Sequence, residues 1–338
     1  MPHFDAYPLL LTYGIRRYAF GARLIADRLG KAGLPDGATA ETWEVSDHDD
    51  EPAVVLNGRY RGRPLRDLVR AFPDALVRPG WSGPQLPLLV KLLDASHRLP
   101  VHVHPDDAVA RTRYGAPNGK DEAWHVVWAA PGASILAGAR PGVDRSALRA
   151  AFRAGAYDDV LLRHPVAAGD TVLVPGGVLH GFGPDTLIVE VQQTSDLSES
   201  VMPDDVYGRP LAPEAWAEGL ERALAIATSS ARPRPDAGTV VASGTLQRTI
   251  GCRGERFVLE RWALSGSATT APGEGGFATL TNLGAAVDVE HARGVTTLPR
   301  ASSCLLPATL GEIRLRPHRV GDLVVCYEPG AGAETGPG

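Results

Sequence analysis

Residues 169–180, GDTVLVPGGVLH, constrain the fold of this chain more than any other stretch. A glycine opens a turn, five residues follow that include Val-Leu-Val, and Pro175-Gly176-Gly177 then reverses the chain. Glycine permits the left-handed backbone that tight reversals need, and proline presets the entry angle of a turn. His180 begins the returning strand. The pattern predicts a short antiparallel hairpin that delivers an imidazole to the inner face of a small barrel. Other segments agree. Residues 87–93, 99–104, 123–130 and 186–192 are short, rich in Val, Leu and Ile, and bounded by turn residues, as strands are. Residues 257–262, 277–280, 304–306, 312–315 and 323–327 read the same way. Gly and Pro, 38 and 28 of the 338 residues, favour a turn-rich, many-stranded architecture over long helices.

Helical periodicity is confined to the first two thirds of the chain. In residues 62–72, Leu65, Leu68, Val69 and Phe72 recur at spacings of three and four. Pro105-Asp106-Asp107 has the proline and acids of a helix start, with Pro105 expected at the first helical position. Residues 144–154 form a third candidate. Residues 213–228 form the best, with Trp216, Leu220, Leu224 and Ala227 on one stripe. Residues 229–238, SSARPRPDAG, read as a linker. The expectation is a mostly β chain with a unit at 1–228, a linker at 229–238, a second β unit at 239–330 and a flexible tail at 331–338.

Charge and hydropathy narrow the function. Lys plus Arg number 34 against 39 Asp plus Glu, so no basic excess points to nucleic acid. No apolar stretch approaches the roughly 18 residues of a membrane span. The N-terminal residues lack the basic and apolar regions of a signal peptide. Cys252, Cys304 and Cys326 are odd in number without CxxC spacing, as in a reduced, cytoplasmic protein. Oligomeric state is not legible in these features.

The chemistry concentrates in three places. His102-Val103-His104 puts two imidazoles on one face of a strand, because residues two apart point the same way. Alone, such a pair is more often two hydrogen-bonded or surface histidines than a metal site. His180, delivered by the hairpin, and Glu122, in Gly119-Lys120-Asp121-Glu122, raise the odds. Two or three imidazoles plus one carboxylate suit Zn²⁺, and also Fe²⁺ or Mn²⁺. His125, three residues beyond Glu122, is expected on the opposite face.

Taken in order, these pieces resemble the cupin superfamily, and the insertion between His104 and Glu122 points to one branch. Glu41-Thr42-Trp43-Glu44-Val45-Ser46, Leu89-Val90-Lys91-Leu92-Leu93-Asp94-Ala95, Val103-His104-Pro105-Asp106-Asp107, Gly119-Lys120-Asp121-Glu122 and Glu190-Val191-Gln192-Gln193-Thr194-Ser195-Asp196 are similar to the type I mannose-6-phosphate isomerases, in family order. The resemblance covers about residues 10–200. A weaker echo at 305–311 resembles that family's metal-free C-terminal cupin.

The resemblance implies two jelly-roll β-barrels, with a helical insertion in the first. It implies Zn²⁺ held by His104, Glu122 and His180, with His102 where the family usually has glutamine. Glu41, Lys91, Lys120 and Glu190 match positions lining the family's active site, with Glu190 favoured as general base. The implied reaction is aldose–ketose isomerisation, with mannose 6-phosphate and fructose 6-phosphate as the substrate pair. Ser200 stands where the family places an arginine held to be catalytic, and Arg209, nine residues on, is the nearest later candidate to replace it. The alternatives are an isomerase of another sugar or sugar phosphate, an Fe²⁺ or Mn²⁺ oxygenase or decarboxylase, and a binding protein that has lost its chemistry.

Overall fold

The computed structural model describes residues 4–330. Strands dominate, and four antiparallel sheets pair into two barrels. The first barrel joins a six-stranded sheet to a five-stranded one. In spatial order the six strands are Gly14–Arg16, Glu41–Val45, Leu88–Ala95, Thr186–Gln193, Glu122–Ala129 and Thr171–Val174. The five are Glu199–Ser200, His102–Val103, His180–Phe182, Ser134–Ala139 and Leu161–Pro165. The second barrel is built from a seven-stranded and a four-stranded sheet of residues beyond 238, plus Leu9–Leu10. The fold class expected from sequence is the one found. Among the described residues, no helix is long and apolar enough to cross a membrane.

The six-stranded sheet is covered on both faces, and this explains its composition. Leu88–Ala95 and Thr186–Gln193 are buried at every residue, so an alternating polar pattern would be costly there. Val90, Leu92, Val189 and Val191 face a core shared with Phe257, Leu259, Phe277 and Val324 of the second barrel. Leu93, Trp124, Val126, Val174 and Ile188 face the interior of the first barrel. Lys91, Glu190 and Glu122 lie at alternate positions to the shared-core residues and so project inward with that second set. The five-stranded sheet turns its histidines inward. Its outer face, with Val103, Leu179 and Val201, is covered by Arg145–Arg153 and Pro213–Ile226 through Leu148, Phe152, Leu220 and Leu224.

Several expected elements shift. Residues 99–104 contain only the two-residue strand His102–Val103. Pro100 has no N–H for a ladder, and its carbonyl is taken by the His102 ring. Pro105 lies outside the helix it was expected to start. Asp106 is the cap, accepting from the Val109 N–H at 2.8 Å, and the helix begins at Asp107. It continues as the wider turn Ala110–Tyr114 and stops at Gly115 in the left-handed region. Residues 229–238 lie against the first barrel: Asp236 pairs with Thr171 through two backbone hydrogen bonds, and the Ser229 N–H meets the Gly177 carbonyl. The tail at 331–338 falls outside the described residues. The short helices Leu24–Leu29, Pro73–Leu76 and Tyr157–Val160 give too few turns for a period to show in sequence.

Candidate metal centre

Three chain segments converge at one end of the first barrel, and they are bonded to one another. The Gly177 N–H donates to the His104 carbonyl at 2.7 Å. The Gly176 N–H donates to Asp121 Oδ1 at 2.8 Å, and the Lys120 N–H to the Pro105 carbonyl at 3.0 Å. Gly177 has φ +81°, so the left-handed turn expected there is real, and a Cβ on Gly176 would lie 2.8 Å from Asp106 Cα. The hairpin, the His102–Asp107 segment and the Gly119–Glu122 segment therefore hold a common geometry. His102 and His180 are directly paired residues on adjacent strands.

The side chains meet where those segments meet. His102, His104 and His180 have ring nitrogens within 4.8 Å of one another. His180 Nε2 lies 3.0 Å from His102 Nε2. Glu122 reaches His104 Nε2 at 3.1 Å with one oxygen and His180 Nε2 at 3.2 Å with the other. Lys120 Nζ lies 3.0 Å from His104 Nε2 and 2.9 Å from Glu122 Oε2. Trp124, two residues along the strand, donates its indole N–H to Glu122 Oε1 at 2.9 Å and fixes the carboxylate. His125 points the other way, toward Thr171, as expected.

The donor set can be tested for a cation from the second hydrogen bonds of the rings. Nδ1 of His102, His104 and His180 lies 2.7, 2.8 and 2.8 Å from the carbonyls of Pro100, Leu197 and Val178. A carbonyl only accepts, so each Nδ1 carries the proton and each neutral ring leaves an Nε2 lone pair facing the centre. His102 and His180 then point bare lone pairs at each other across 3.0 Å. Protonation is no remedy. Burial, then the neighbouring rings, hold His102 well below the usual imidazole range, and burial with Lys120 lowers His104 to about 4. Glu122 stays ionised: burial opposes this, but Lys120 and His104 hold it well below the usual carboxylate range. Unprotonated nitrogens around a carboxylate fit a divalent cation.

Glu41, Lys91 and Glu190 form a second cluster on the same sheet. Lys91 Nζ lies 3.6 Å from Glu41 Oε2 and 3.5 Å from Glu190 Oε1, over the Trp43 ring. Burial works against the ammonium, but these two carboxylates hold its pKa above the ordinary lysine value. Trp43 donates its indole N–H to Glu41 at 2.8 Å. Glu190 is pushed up to about 7, first by burial and then by Glu122.

A cavity of about 290 Å³ opens onto both clusters, walled in part by Glu41, Lys91, Lys120, His102, His104 and Ser200. Glu190, like Glu122 and His180, is not on its wall; it stands opposite Lys91 on the neighbouring strand, so its expected role as the base that meets the sugar does not follow from its position. Asp196 and Ser198 stand at the cavity and carried no signal of their own beyond the family word. Ser200 faces His102 across the strand pair. Arg209 does not reach back: its guanidinium is 2.7 Å from Asp205 and exposed. A larger cavity, about 710 Å³, lies elsewhere, against Arg78, Trp81 and Glu274, and contains none of these groups.

A barrel carrying inward histidines and a carboxylate at one end defines a cupin with a metal-type donor cluster, and comparison with known proteins narrows the class. Residues 9–125 match the model of the phosphomannose isomerase type I catalytic domain. The mannose-6-phosphate isomerase of Streptococcus mutans is 32% identical over 275 residues, 79% of this chain and 83% of that protein. The crystal structure of the mannose 6-phosphate isomerase from Bacillus subtilis superposes with TM-score 0.84 at 25% identity, covering 95% of this chain and 99% of the other. Phosphomannose isomerase of Salmonella typhimurium shares the fold, with TM-score 0.74 at 14% identity over 95% of this chain and 100% of that one. The chain belongs to the type I mannose-6-phosphate isomerase family.

Proposed function

We propose that this protein is a metal-dependent aldose–ketose isomerase that interconverts mannose 6-phosphate and fructose 6-phosphate, and that it works in the cytoplasm. The observation that carries the reading is the trio of histidine ring nitrogens gathered with Glu122, with His102 and His104 opening onto a cavity that also presents Glu41, Lys91 and Lys120. His102, His104, Glu122 and His180 would hold the cation. Zn²⁺ is the first choice, with Fe²⁺ and Mn²⁺ as alternatives for the same donors. Such a cation polarises a substrate oxygen and stabilises negative charge that develops on it.

The chain's own groups supply the rest. Isomerisation removes a proton from C2 of the aldose and returns one to C1, through an enediol. Two carboxylates outside the metal cluster line the cavity, Glu41 and Asp196; Glu41 is the one held by Trp43 and Lys91, so we assign it the C–H proton. Lys120, beside His104 and Glu122, is placed to donate a hydrogen bond to a sugar oxygen at the cavity floor. Lys91 is ion-paired with Glu41 and with Glu190, which stands opposite it on the neighbouring strand and positions it. The 1–228 unit carries this chemistry, and the 239–330 unit closes its outer face.

The test is metal analysis of the purified protein beside an isomerase assay with mannose 6-phosphate. About one equivalent of divalent metal with turnover supports the reading; a fully metal-loaded protein without turnover overturns it. A second reading, an isomerase for a different sugar or sugar phosphate, is favoured by one observation: Ser200 is on the wall and no arginine is. A panel of aldoses and their phosphates, assayed with the wild type and with Ser200→Arg, separates the two.

A further inference from the structure

A sugar phosphate needs a cation for its dianion, and the cavity wall does not offer a free one. Lys91 is held between Glu41 and Glu190, and Lys120 is held by Glu122 and His104. Both ammonium groups are therefore committed to buried partners that a phosphate would have to displace, at the cost of leaving those carboxylates unpaired.

The cleft does not end there. A second cavity of about 180 Å³ shares Phe20, Pro100 and Val206 with the first, so the two adjoin across that wall. Arg98 lines this second cavity. Among the described residues Arg98 is exposed and has no carboxylate within ion-pair distance. Met202, Asp204, Asp205 and Gly208, in the stretch following Ser200, line the same cavity too. That stretch is fastened over the cleft: the Ala19 N–H donates to the Val206 carbonyl, and the Asp205 carboxylate is occupied by Arg209 and by the N–H groups of Tyr207 and Arg209. Asp204 is the one acid of this annex without such an arginine.

Resting on the isomerase reading above, we propose that Arg98 is the phosphate-recognising residue of this enzyme, and that the annex between Arg98 and residues 202–208 is the subsite for the substrate's phosphate monoester. A guanidinium matches phosphate geometry with paired N–H donors and stays charged at every working pH. Asp204, which also lines the annex, opposes the dianion and tempers its affinity. Pro100 lines both cavities and His102 only the larger one, so the subsite would hold the non-reacting end of the sugar while C1 and C2 stay by the metal cluster.

The experiment compares metal-loaded wild type, Arg98→Gln and Asp204→Asn on mannose 6-phosphate and on mannose. Arg98→Gln is expected to raise KM for mannose 6-phosphate by about 10-fold or more, the loss of one charge-assisted contact, with kcat changed less than about threefold. KM for mannose should be unmoved, and Asp204→Asn should lower KM for the phosphate. Equal KM values for wild type and Arg98→Gln, or equal losses on both sugars, overturn the proposal while leaving the isomerase reading intact. If the wild type turns over neither sugar, calorimetric titration with mannose 6-phosphate and with mannose decides. Selective binding of the phosphate that Arg98→Gln removes keeps the subsite and retires the isomerase; binding that ignores the substitution overturns the subsite.

Discussion

Glu122 in the first barrel and Glu260 in the second hold the same local posture in opposite surroundings. Each accepts from the indole N–H of the tryptophan two residues later, Trp124 at 2.9 Å and Trp262 at 2.6 Å. On a strand that spacing puts both side chains on one face, and both carboxylates are buried in barrel interiors. Glu260 then receives two parallel bonds from Arg248, at 2.8 and 2.7 Å, and a third from the Tyr327 hydroxyl. Burial alone would raise its pKa; Arg248, Tyr327 and Trp262 together hold it below the usual range. Glu122 instead faces His104, His180 and one lysine. The second barrel closes its charge balance with a covalently attached guanidinium. The first gathers three histidines that could hold a metal ion. The same strand device thus makes a structural anchor in one barrel and, on the proposed reading, part of a metal site in the other.

Stripping the metal sharpens this contrast most. Incubation with a chelator should abolish isomerase activity, and Zn²⁺ should restore it. A ligand present at 1,000 times its Kd stabilises by about 4 kcal/mol, so unfolding should move to lower denaturant in the apoprotein. Hydrogen exchange locates the change. It should rise at His102–Val103 and His180–Phe182 and stay fixed at Val258–Leu264. Equal loosening of both barrels would break the comparison.

Substitution separates the two carboxylate environments next. His180→Gln removes a proposed ligand. Loss of groups that merely orient ligands costs about 10–100-fold, so activity should fall by more than that. Glu260→Gln strands Arg248 beside a neutral amide. It should cost about 2–3 kcal/mol in denaturant unfolding, toward the lower end because Arg248 is partly solvated, with activity per folded molecule unchanged. A Glu260→Gln enzyme that loses turnover without losing stability would show that the second barrel takes part in the chemistry.

Much of this arrangement is legible in the chain, and the unread part has physical causes. Strands rich in Val and Leu announce themselves, and Gly169, Pro175 and Gly177 announce the hairpin because each answers a backbone need. The three histidines and Glu122 are readable because few residue types bind metal. The Glu-x-Trp pairs at 41, 122 and 260 are not readable as a device, since a tryptophan in a strand usually reports packing. Residues 99–104 look like a full strand because their apolar content outweighs one proline, yet the missing N–H at Pro100 ends the ladder. That Glu190 faces the barrel interior depends on which of two covered faces it occupies, and a continuous apolar run hides that parity. Arg98 carries no local signal at all: its relation to the cleft is set by residues more than a hundred positions later.

Acid separates the barrels more gently. His125, at the seam, is lowered to about 4 by burial and then by Arg261 of the second barrel. Its folded pKa is below its unfolded value of 6.5, so the unfolded chain binds the extra proton. Stability therefore falls as pH drops from about 6.5 to about 4, by up to about 3 kcal/mol for this one group. Glu260 has its pKa depressed from 4.5, so the stability it contributes is present above that pH and is lost only on further acidification. Between pH 6.5 and 4.5 the lowered imidazoles give a downward slope on acidification, against which Glu190 and Asp47, pushed up to about 7 and about 6 by burial, contribute with the opposite sign. In the metal-loaded protein, where the site histidines are engaged, His125→Gln should flatten it. An unchanged slope would mean His125 is solvated in the folded state.

The smallest effect is expected at Arg209. If this arginine supplied the charge missing at Ser200, Arg209→Ala would lower kcat/KM by orders of magnitude, as loss of a preorganised donor does. Its geometry argues otherwise. The guanidinium is exposed, bonds Asp205 four residues earlier, and stacks over Tyr207. An exposed pair of this kind contributes little, because water and salt screen it and holding two long side chains costs entropy. Arg209→Ala should leave Tm and kcat/KM for mannose 6-phosphate unchanged within error, measured beside Arg98→Gln in one assay. A large loss at Arg209 with none at Arg98 would mean that residues 202–211 refold over the substrate and bring a different arginine to its phosphate.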